Sequence, residues 1–264
     1  MLEELKTALT QSQHVAVLTG AGISVASGIP AFRSGKNKVW DEETLGYGTY
    51  AFFKSNPVES WSWYLDRFGS IRAKKPNDAH ITLSRLEQSA ARKKQTFSLI
   101  TQNIDRLHHK SGMNNVVEIH GNIDHVRCSK KYPHCDHGEH FGKLPFIEGI
   151  MNSFIKNPSL NTLPCCSLCG SFMRPHILWF DEYYDGHIDY QMEQAQNVLE
   201  TCDVMIFIGT SFSVGITDIA LRVLLARSVP FWVINNEPNT SNNPLLEDAH
   251  WIEGKAENIL PRLL

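Results

Sequence analysis

Apolar residues recur along this chain in two periods, and the way the periods alternate predicts an architecture. Leu2, Leu5, Ala8 and Leu9 fall at helical spacing, so the chain opens on a short amphipathic helix. Val15-Ala16-Val17-Leu18 is an unbroken apolar run, the pattern of a strand buried on both faces. A helix is expected over 78–92, where His80, Leu83 and Leu86 share a face, and a buried strand over Thr96–Thr101. Strands are expected again at 116–119, 204–208 and 231–234, with helices near 189–200 and 216–227. Strand, small-polar turn, helix, strand is the grammar of a doubly wound parallel sheet.

Two stretches break that rhythm. Residues 36–80 carry Trp40, Tyr47, Tyr50, Phe52, Phe53, Trp61, Trp63, Tyr64 and Phe68 among polar residues without strand alternation. They read as short helices, either a small aromatic core or a lid and pocket wall. Residues 123–173 form the second interruption, and within it Phe146, Ile147, Ile150, Met151 and Phe154 suggest a helix or hairpin. From Arg174 the chain is expected to return to the main sheet. The division is then a large α/β domain from 1–35, 80–122 and 174–264, a helical module from 36–79 and a cysteine-bearing module from 123–173.

Candidate chemistry follows from where polar residues meet the ends of apolar runs, because an open α/β sheet binds its ligands outside the carboxyl ends of its strands. After the first run come Gly20, Gly22 and Gly28. A glycine-rich turn at that place lets backbone N–H groups approach a phosphate. The third glycine lies six residues after Gly22, where the usual dinucleotide spacing is about three. A tight strand–helix turn is therefore an alternative reading of the glycines alone. After the second run come Gln102, Asn103 and Asp105, which suit either a site or the capping of a helix. After 116–119 comes His120, the side-chain type best matched to proton transfer near neutral pH.

Composition narrows the classes. A net charge of −3 over 264 residues provides no field for nucleic acid or anionic membranes. No apolar run reaches the length of a membrane helix, and the acidic opening MLEELKTALTQSQH lacks the apolar core of a signal peptide. The expectation is an intracellular monomer, cytoplasmic in the first instance with mitochondrion or nucleus as alternatives. Five of the six cysteines lie between Cys128 and Cys169, which in such a protein favours a metal over disulfides. Cys166 and Cys169 form a C-x-x-C pair, whereas six residues separate Cys128 from Cys135. The expected set is Cys128, Cys135, Cys166 and Cys169 around a structural zinc ion, since four thiolates leave no open position. His134 or His137 is an alternative to Cys135, and Cys165 to Cys166. A redox dithiol is a weaker reading, for want of a thioredoxin-like context.

Taken together, GAGIS…SGIPAFR at 20–33, TQNIDRLH at 101–108, His120-Gly121, the cysteine module, RPHILWFDE at 174–182 and the turns after 208 and 234 resemble, in order, the motifs of the sirtuins, the NAD-dependent protein deacylases. The resemblance implies a Rossmann-like sheet with a smaller inserted zinc-binding and helical lobe. It implies NAD contacts from Gly20, Ala21, Gly22, Ser24, Phe32, Arg33, Gln102, Asn103, Asp105, Gly209, Thr210, Ser211, Asn235, Asn236, Glu237 and Ala256. Asn103 and Asp105 would line the nicotinamide pocket, and Phe32 and Arg33 would cover the ribose. His120 would be the general base on the ribose that lets its 2′-hydroxyl attack the acyl group. Products would be lysine, nicotinamide and 2′-O-acyl-ADP-ribose.

Two further features bear on the substrate. Phe180 and Glu182 lie in a segment that the resemblance pairs with an extended peptide by strand addition, with Asp181 where the motif has glycine. Tyr64 and Arg67, three apart on an expected helix ahead of Pro76-Asn77, resemble the pair in sirtuins that remove succinyl, malonyl and glutaryl groups. A phenol beside a guanidinium can hold a carboxylate. Gly48 stands near where that subgroup replaces a bulky aromatic, and Ala31 stands where other sirtuins carry an acid. An acetyl-lysine preference, or NAD hydrolase or ADP-ribosyltransferase activity on the same scaffold, are the rival readings, together with a non-catalytic NAD- or acyl-lysine-binding module.

Overall fold

The structure is a computed structural model that describes residues 1–30, 46–130, 135, 144–145, 148–237 and 243–264, with backbone alone at 144–145 and 148–150. Six strands form the main sheet: β1 (His14–Thr19), β2 (Thr96–Thr101), β3 (Val116–Glu118), β7 (Val204–Ile208), β8 (Phe231–Asn235) and β9 (His250–Glu253). Their spatial order is β3-β2-β1-β7-β8-β9, and every pairing is parallel. The order reverses at β1, so the gap between the ends of β1 and β7 is a topological switch point.

Both faces of this sheet are covered, which is why its strands read as continuous apolar runs. On one face Val15, Val17, Leu99 and Ile206 pack with Leu5 of the helix Leu2–Gln11, Leu83 of the helix Asp78–Arg92 and Leu260 near the C-terminus. On the other, Ala16, Leu18, Ile100 and Phe207 pack with Leu199 of Met192–Thr201 and Leu221 of Gly215–Ala226. The elements expected over 78–92, Thr96–Thr101 and 204–208 have those bounds, and the others are present with ends shifted by one to three residues. β9 is an addition that its short, mixed sequence HWIE does not announce.

The chain does not rejoin the main sheet at Arg174. The strand there, β6 (Met173–Ile177), pairs antiparallel with β4 (Gly121–Cys128), and β5 (Leu144–Pro145) completes a separate three-stranded sheet. The burial pattern of β6 does not reveal which sheet owns it, since all five residues are buried. What decides is the first residue of β4: Gly121 has φ +72°, and a side chain on it would run into the carbonyl of His176. That close approach locks β4 onto β6.

The described part of the aromatic segment contains the α-helices Tyr50–Ser55 and Pro57–Gly69. Trp61, Tyr64, Phe53 and Phe68 share one apolar cluster with Val126, Met151, Phe154, Cys128 and Cys166. The two interruptions of the α/β pattern therefore bury their side chains against each other. Trp40, Phe146 and Ile147 lie outside the described residues.

Candidate functional site

At the switch point the loop after β1 lies directly on the loop after β7. Gly20 donates its N–H to Ile208 O at 3.0 Å and Gly22 to Gly209 O at 2.8 Å. Gly209 has φ +59°, and a Cβ on it would stand 2.5 Å from Ile23 N. Glycine is required here because two backbones touch. The N–H groups of Gly20 and Gly22 are thus engaged within the fold and do not face a ligand, which corrects the phosphate role read from the motif for these two groups. The chain next enters a 3-10 helix, Ala21–Ser27. Asn77, the cap of the helix Asp78–Arg92, ties it down by donating to Ile23 O at 2.8 Å and Ser27 Oγ at 3.0 Å.

The polar residues after β2 converge on that helix. Ser24 donates to Asp105 Oδ2 at 2.7 Å, while Asn103 Nδ2 donates to Gly20 O at 3.0 Å. Asp105 Oδ1 accepts the N–H of Leu107, the first residue of the short helix Leu107–Lys110, at 2.9 Å. Burial pushes the Asp105 carboxyl up, against the opposing pull of Leu107 N–H and the Ser24 hydroxyl. Gln102 Nε2 donates to Thr210 Oγ1 at 3.2 Å, and Asn235 Nδ2 donates to Thr210 O at 3.1 Å. The turns after β2, β7 and β8 are in this way one hydrogen-bonded unit. Ser211, Asn236 and Glu237 are exposed beyond it, in position to meet a ligand. Ala256 is different: its side chain is in the core, so only its main chain can face the cleft.

His120 follows β3. Its Nδ1 lies 2.8 Å from Gln102 O. A carbonyl can only accept, so Nδ1 carries the proton and Nε2 holds a lone pair. Burial lowers the imidazole to about 4, with the bond to Gln102 resisting, so the ring is neutral at pH 7 and able to take a proton.

Beneath the cleft lies a group that sequence reading missed. Thr19 and Thr101, paired across β1 and β2, are joined by a hydrogen bond of 2.9 Å. His108 Nε2 lies 3.0 Å from Thr19 Oγ1, and His80 sits 4.9 Å from His108 between ring centroids. The available signal was a threonine closing each of two apolar strands.

In the smaller lobe, the sulfurs of Cys128, Cys135, Cys166 and Cys169 all lie within 4.8 Å of one another. Cys128 and Cys169 are 3.5 Å apart and Cys135 and Cys166 3.6 Å. Tetrahedral zinc with bonds of about 2.3 Å sets sulfurs roughly 3.8 Å apart, so the donors fit that ion. Cys165 is exposed and turns its sulfur toward Leu163 O, out of the cluster. Phe32, Arg33, Ala31, His134 and His137 lie outside the described residues.

The substrate residues divide. Phe180 is exposed, and β6 is an edge strand, as strand addition requires. The Glu182 side chain is turned inward, so only its main chain can meet a peptide. Its side chain is 3% exposed and accepts from Arg174 at 2.6 and 2.8 Å and from Arg127 at 3.2 Å. A carboxylate with two buried guanidiniums on it is an internal counter-ion. Tyr64 is buried, edge-on to Trp61 at 5.5 Å, with a hydroxyl that has no hydrogen-bond partner among the described residues. Burial raises its phenol, which also feels Arg72 and Asp124. Arg67 is half-buried and makes no ion pair among the described residues. Sequence spacing pointed to Arg67 alone; Arg72 is a second guanidinium near that phenol.

The sequence model of the Sir2 family matches residues 20–215. An NAD-dependent protein deacylase of Thermococcus sibiricus is 32% identical over 271 residues, covering all of this chain and 95% of that relative. The mitochondrial NAD-dependent protein deacylase sirtuin-5A of Xenopus laevis is 31% identical, covering 91% of this chain and 79% of its own length. Among solved structures, a Sir2 homologue in complex with ADP-ribose aligns over all of this chain and 95% of its own, at 30% identity and a TM-score of 0.79. A complex of Sir2 with a p53 peptide and NAD+ aligns over all of this chain and 97% of its own, at 26% identity and a TM-score of 0.77.

Proposed function

The chain belongs to the Sir2 family, and from that premise we propose that it is an NAD-dependent protein-lysine deacylase that releases nicotinamide and forms 2′-O-acyl-ADP-ribose. The observation that carries this reading is the arrangement of His120: neutral, held through Nδ1 on the main chain of Gln102, the residue before Asn103, while Asn103 and Asp105 bond Ser24 in the loop after β1. NAD supplies an electrophilic carbon at its nicotinamide ribose. Ser24, Asn103 and Asp105 orient the nicotinamide end. Thr210, Ser211, Asn235, Asn236, Glu237 and the main chain of Ala256 hold the adenosine end. Phe32 and Arg33 are proposed to exclude water from the ribose. His120 takes the proton of a ribose hydroxyl, which frees that oxygen to attack the acyl carbon. The four cysteines hold zinc that keeps the smaller lobe folded and takes no part in the chemistry.

Peptide or protein substrates are proposed to enter along the exposed Phe180 side, as the peptide complex of a structural relative suggests. The acyl group is proposed to be acidic: succinyl, malonyl or glutaryl. Support comes from the Tyr64 hydroxyl, a buried donor with no acceptor among the described residues, and from Arg67 with Arg72. An unsatisfied buried phenol is costly unless a ligand completes it. No helix of the described residues is long and apolar enough to cross a membrane. A monomer inside the cell, without a nucleic-acid partner, is the state proposed.

Mass spectrometry of products from matched succinyl, malonyl, glutaryl and acetyl peptides with NAD tests the reading. Acyl-ADP-ribose with higher kcat/KM on the acidic acyl groups is the expected result. Free ADP-ribose as the main product overturns the deacylase assignment; a clear acetyl preference overturns only the acyl class. Arg67→Met is expected to lose acidic-acyl activity selectively, by about 1.5–3 kcal/mol, the range for hydrogen bonds to charged groups. If Arg72→Met alone does so, Arg72 is the carboxylate ligand.

A further inference from the structure

Tyr184 stands in the turn after β6 and has no part in the reading above. Its ring stacks on that of His120, with centroids 5.8 Å apart and planes 10° from parallel. Its hydroxyl lies 3.4 Å from His120 Nε2. The same oxygen accepts the backbone N–H of Ile216, in the first turn of the helix Gly215–Ala226, at 3.1 Å. Gly215 leaves the ring its room: a Cβ there would touch Tyr184 Cε2 at 3.4 Å. The ring also packs on the apolar cluster of that face of the sheet.

Chemistry assigns the direction of each of these bonds. The Gln102 carbonyl can only accept, so His120 is protonated on Nδ1. The Ile216 amide can only donate, so the phenol oxygen accepts from it. The phenol proton remains, and the acceptor within reach among the described residues is the lone pair on His120 Nε2. Burial raises the Tyr184 phenol, so it keeps that proton near neutral pH.

We propose that Tyr184 is a positioning residue for acyl transfer: anchored on the Ile216 amide, its hydroxyl and ring hold the His120 imidazole with Nε2 facing the cleft. The proposal rests on the deacylase reading with His120 as base. The hydroxyl serves both states of the ring. In the free enzyme it donates to neutral Nε2, and it turns away when the ribose hydroxyl takes its place as the donor to that single lone pair. Once the ribose proton has moved to Nε2, the phenol O–H turns and its second lone pair accepts the new N–H. No bond to Tyr184 forms or breaks.

The test is Tyr184→Phe, which keeps the stacked ring and removes the oxygen. Nicotinamide leaves before His120 is needed, so nicotinamide exchange into NAD is expected to be unchanged. Formation of acyl-ADP-ribose is expected to fall about tenfold in kcat with little change in KM for NAD or peptide. Nitrogen-15 NMR of labelled histidine is the independent readout. The wild type is expected to show the Nδ1–H tautomer with a hydrogen-bonded Nε2, and the variant a displaced Nε2 shift. If Tyr184→Phe leaves both the kcat ratio and the Nε2 shift unchanged, Tyr184 only fills space and the proposal is wrong. A wild type that turns over no NAD with any acyl peptide would instead overturn the deacylase reading, and the NMR comparison would still decide whether Tyr184 orients His120.

Discussion

Asp181 Oδ1 accepts the backbone N–H of Tyr50 at 2.6 Å, and its other oxygen accepts that of Ala51 at 3.0 Å. One carboxylate, placed where the family motif has glycine, thus caps the helix Tyr50–Ser55 from a segment 130 residues away in sequence. It lies beside a second tie, Phe180 N–H to Gly48 O at 3.0 Å. Together they fasten the segment after β6 to the helical module. Asp181→Ala is expected to lower stability by about 1 kcal/mol, the usual loss when a helix cap is removed. Urea unfolding should show a lower midpoint at unchanged slope. Asp181→Asn should lose less, because an amide oxygen can still accept one of the two N–H groups.

Removing the Glu182 carboxylate should be far more damaging. Burial alone would raise this acid, but Arg174, its hydrogen bonds and Arg127 overcome that and hold it at about 2. Glu182→Gln leaves Arg127 and Arg174 buried without a counter-charge. Such a loss costs about 3–5 kcal/mol, seen as a large drop in unfolding midpoint or in soluble yield. The pair also predicts acid sensitivity. The folded value lies below the unfolded 4.5, so the stabilisation is complete above pH 4.5 and is lost as pH falls toward 2.

A second acid transition should come from histidine, at higher pH. Burial holds His80 at about 4 and His108 well below 6.5, and His120 is lowered to about 4. In the unfolded chain each would titrate near 6.5, so between 6.5 and 4 the unfolded state binds more protons. Stability should therefore be flat above pH 7 and fall as pH drops from 6.5 to 4. For fully buried His80 alone the fall is on the order of 3 kcal/mol. Urea midpoints at steps from pH 7.5 to 4.5 check it. His80→Gln should flatten the profile even if it lowers stability at pH 7.

Cysteine substitutions should separate the metal ligands from their neighbour. Cys166→Ser is expected to abolish stoichiometric zinc and destabilise the smaller lobe, because that lobe packs Cys128, Cys135 and Cys166 in one apolar cluster. Cys165→Ser should retain one zinc per chain and the wild-type melting temperature, since its sulfur faces away from the cluster. Zinc analysis of the purified variants decides between them.

Local pattern alone determined a good deal of this protein. Runs such as Val15–Leu18 and Val204–Ile208 are buried on both faces, so their type was legible without any partner. Polar residues at strand ends marked the candidate site, because a parallel sheet aligns all its carboxyl ends on one side. The spacing of the cysteines announced a metal cluster, although it left the choice between Cys165 and Cys166 open.

Tertiary structure decided what depends on contacts between distant segments. β6 has the same buried run whichever sheet it joins, and the contact of Gly121 with His176 assigns it to β4. Glu182 reads in sequence like a residue for a peptide, until Arg127 and Arg174 arrive from two strands to claim it. Gly22 looks like a phosphate-binding glycine, until Gly209 is found pressed against it. Sequence periodicity reports which way a side chain points relative to its own element. The partner that meets it there is set by packing between elements, and that is where the contacts of Glu182, Asp181 and Tyr184 were decided.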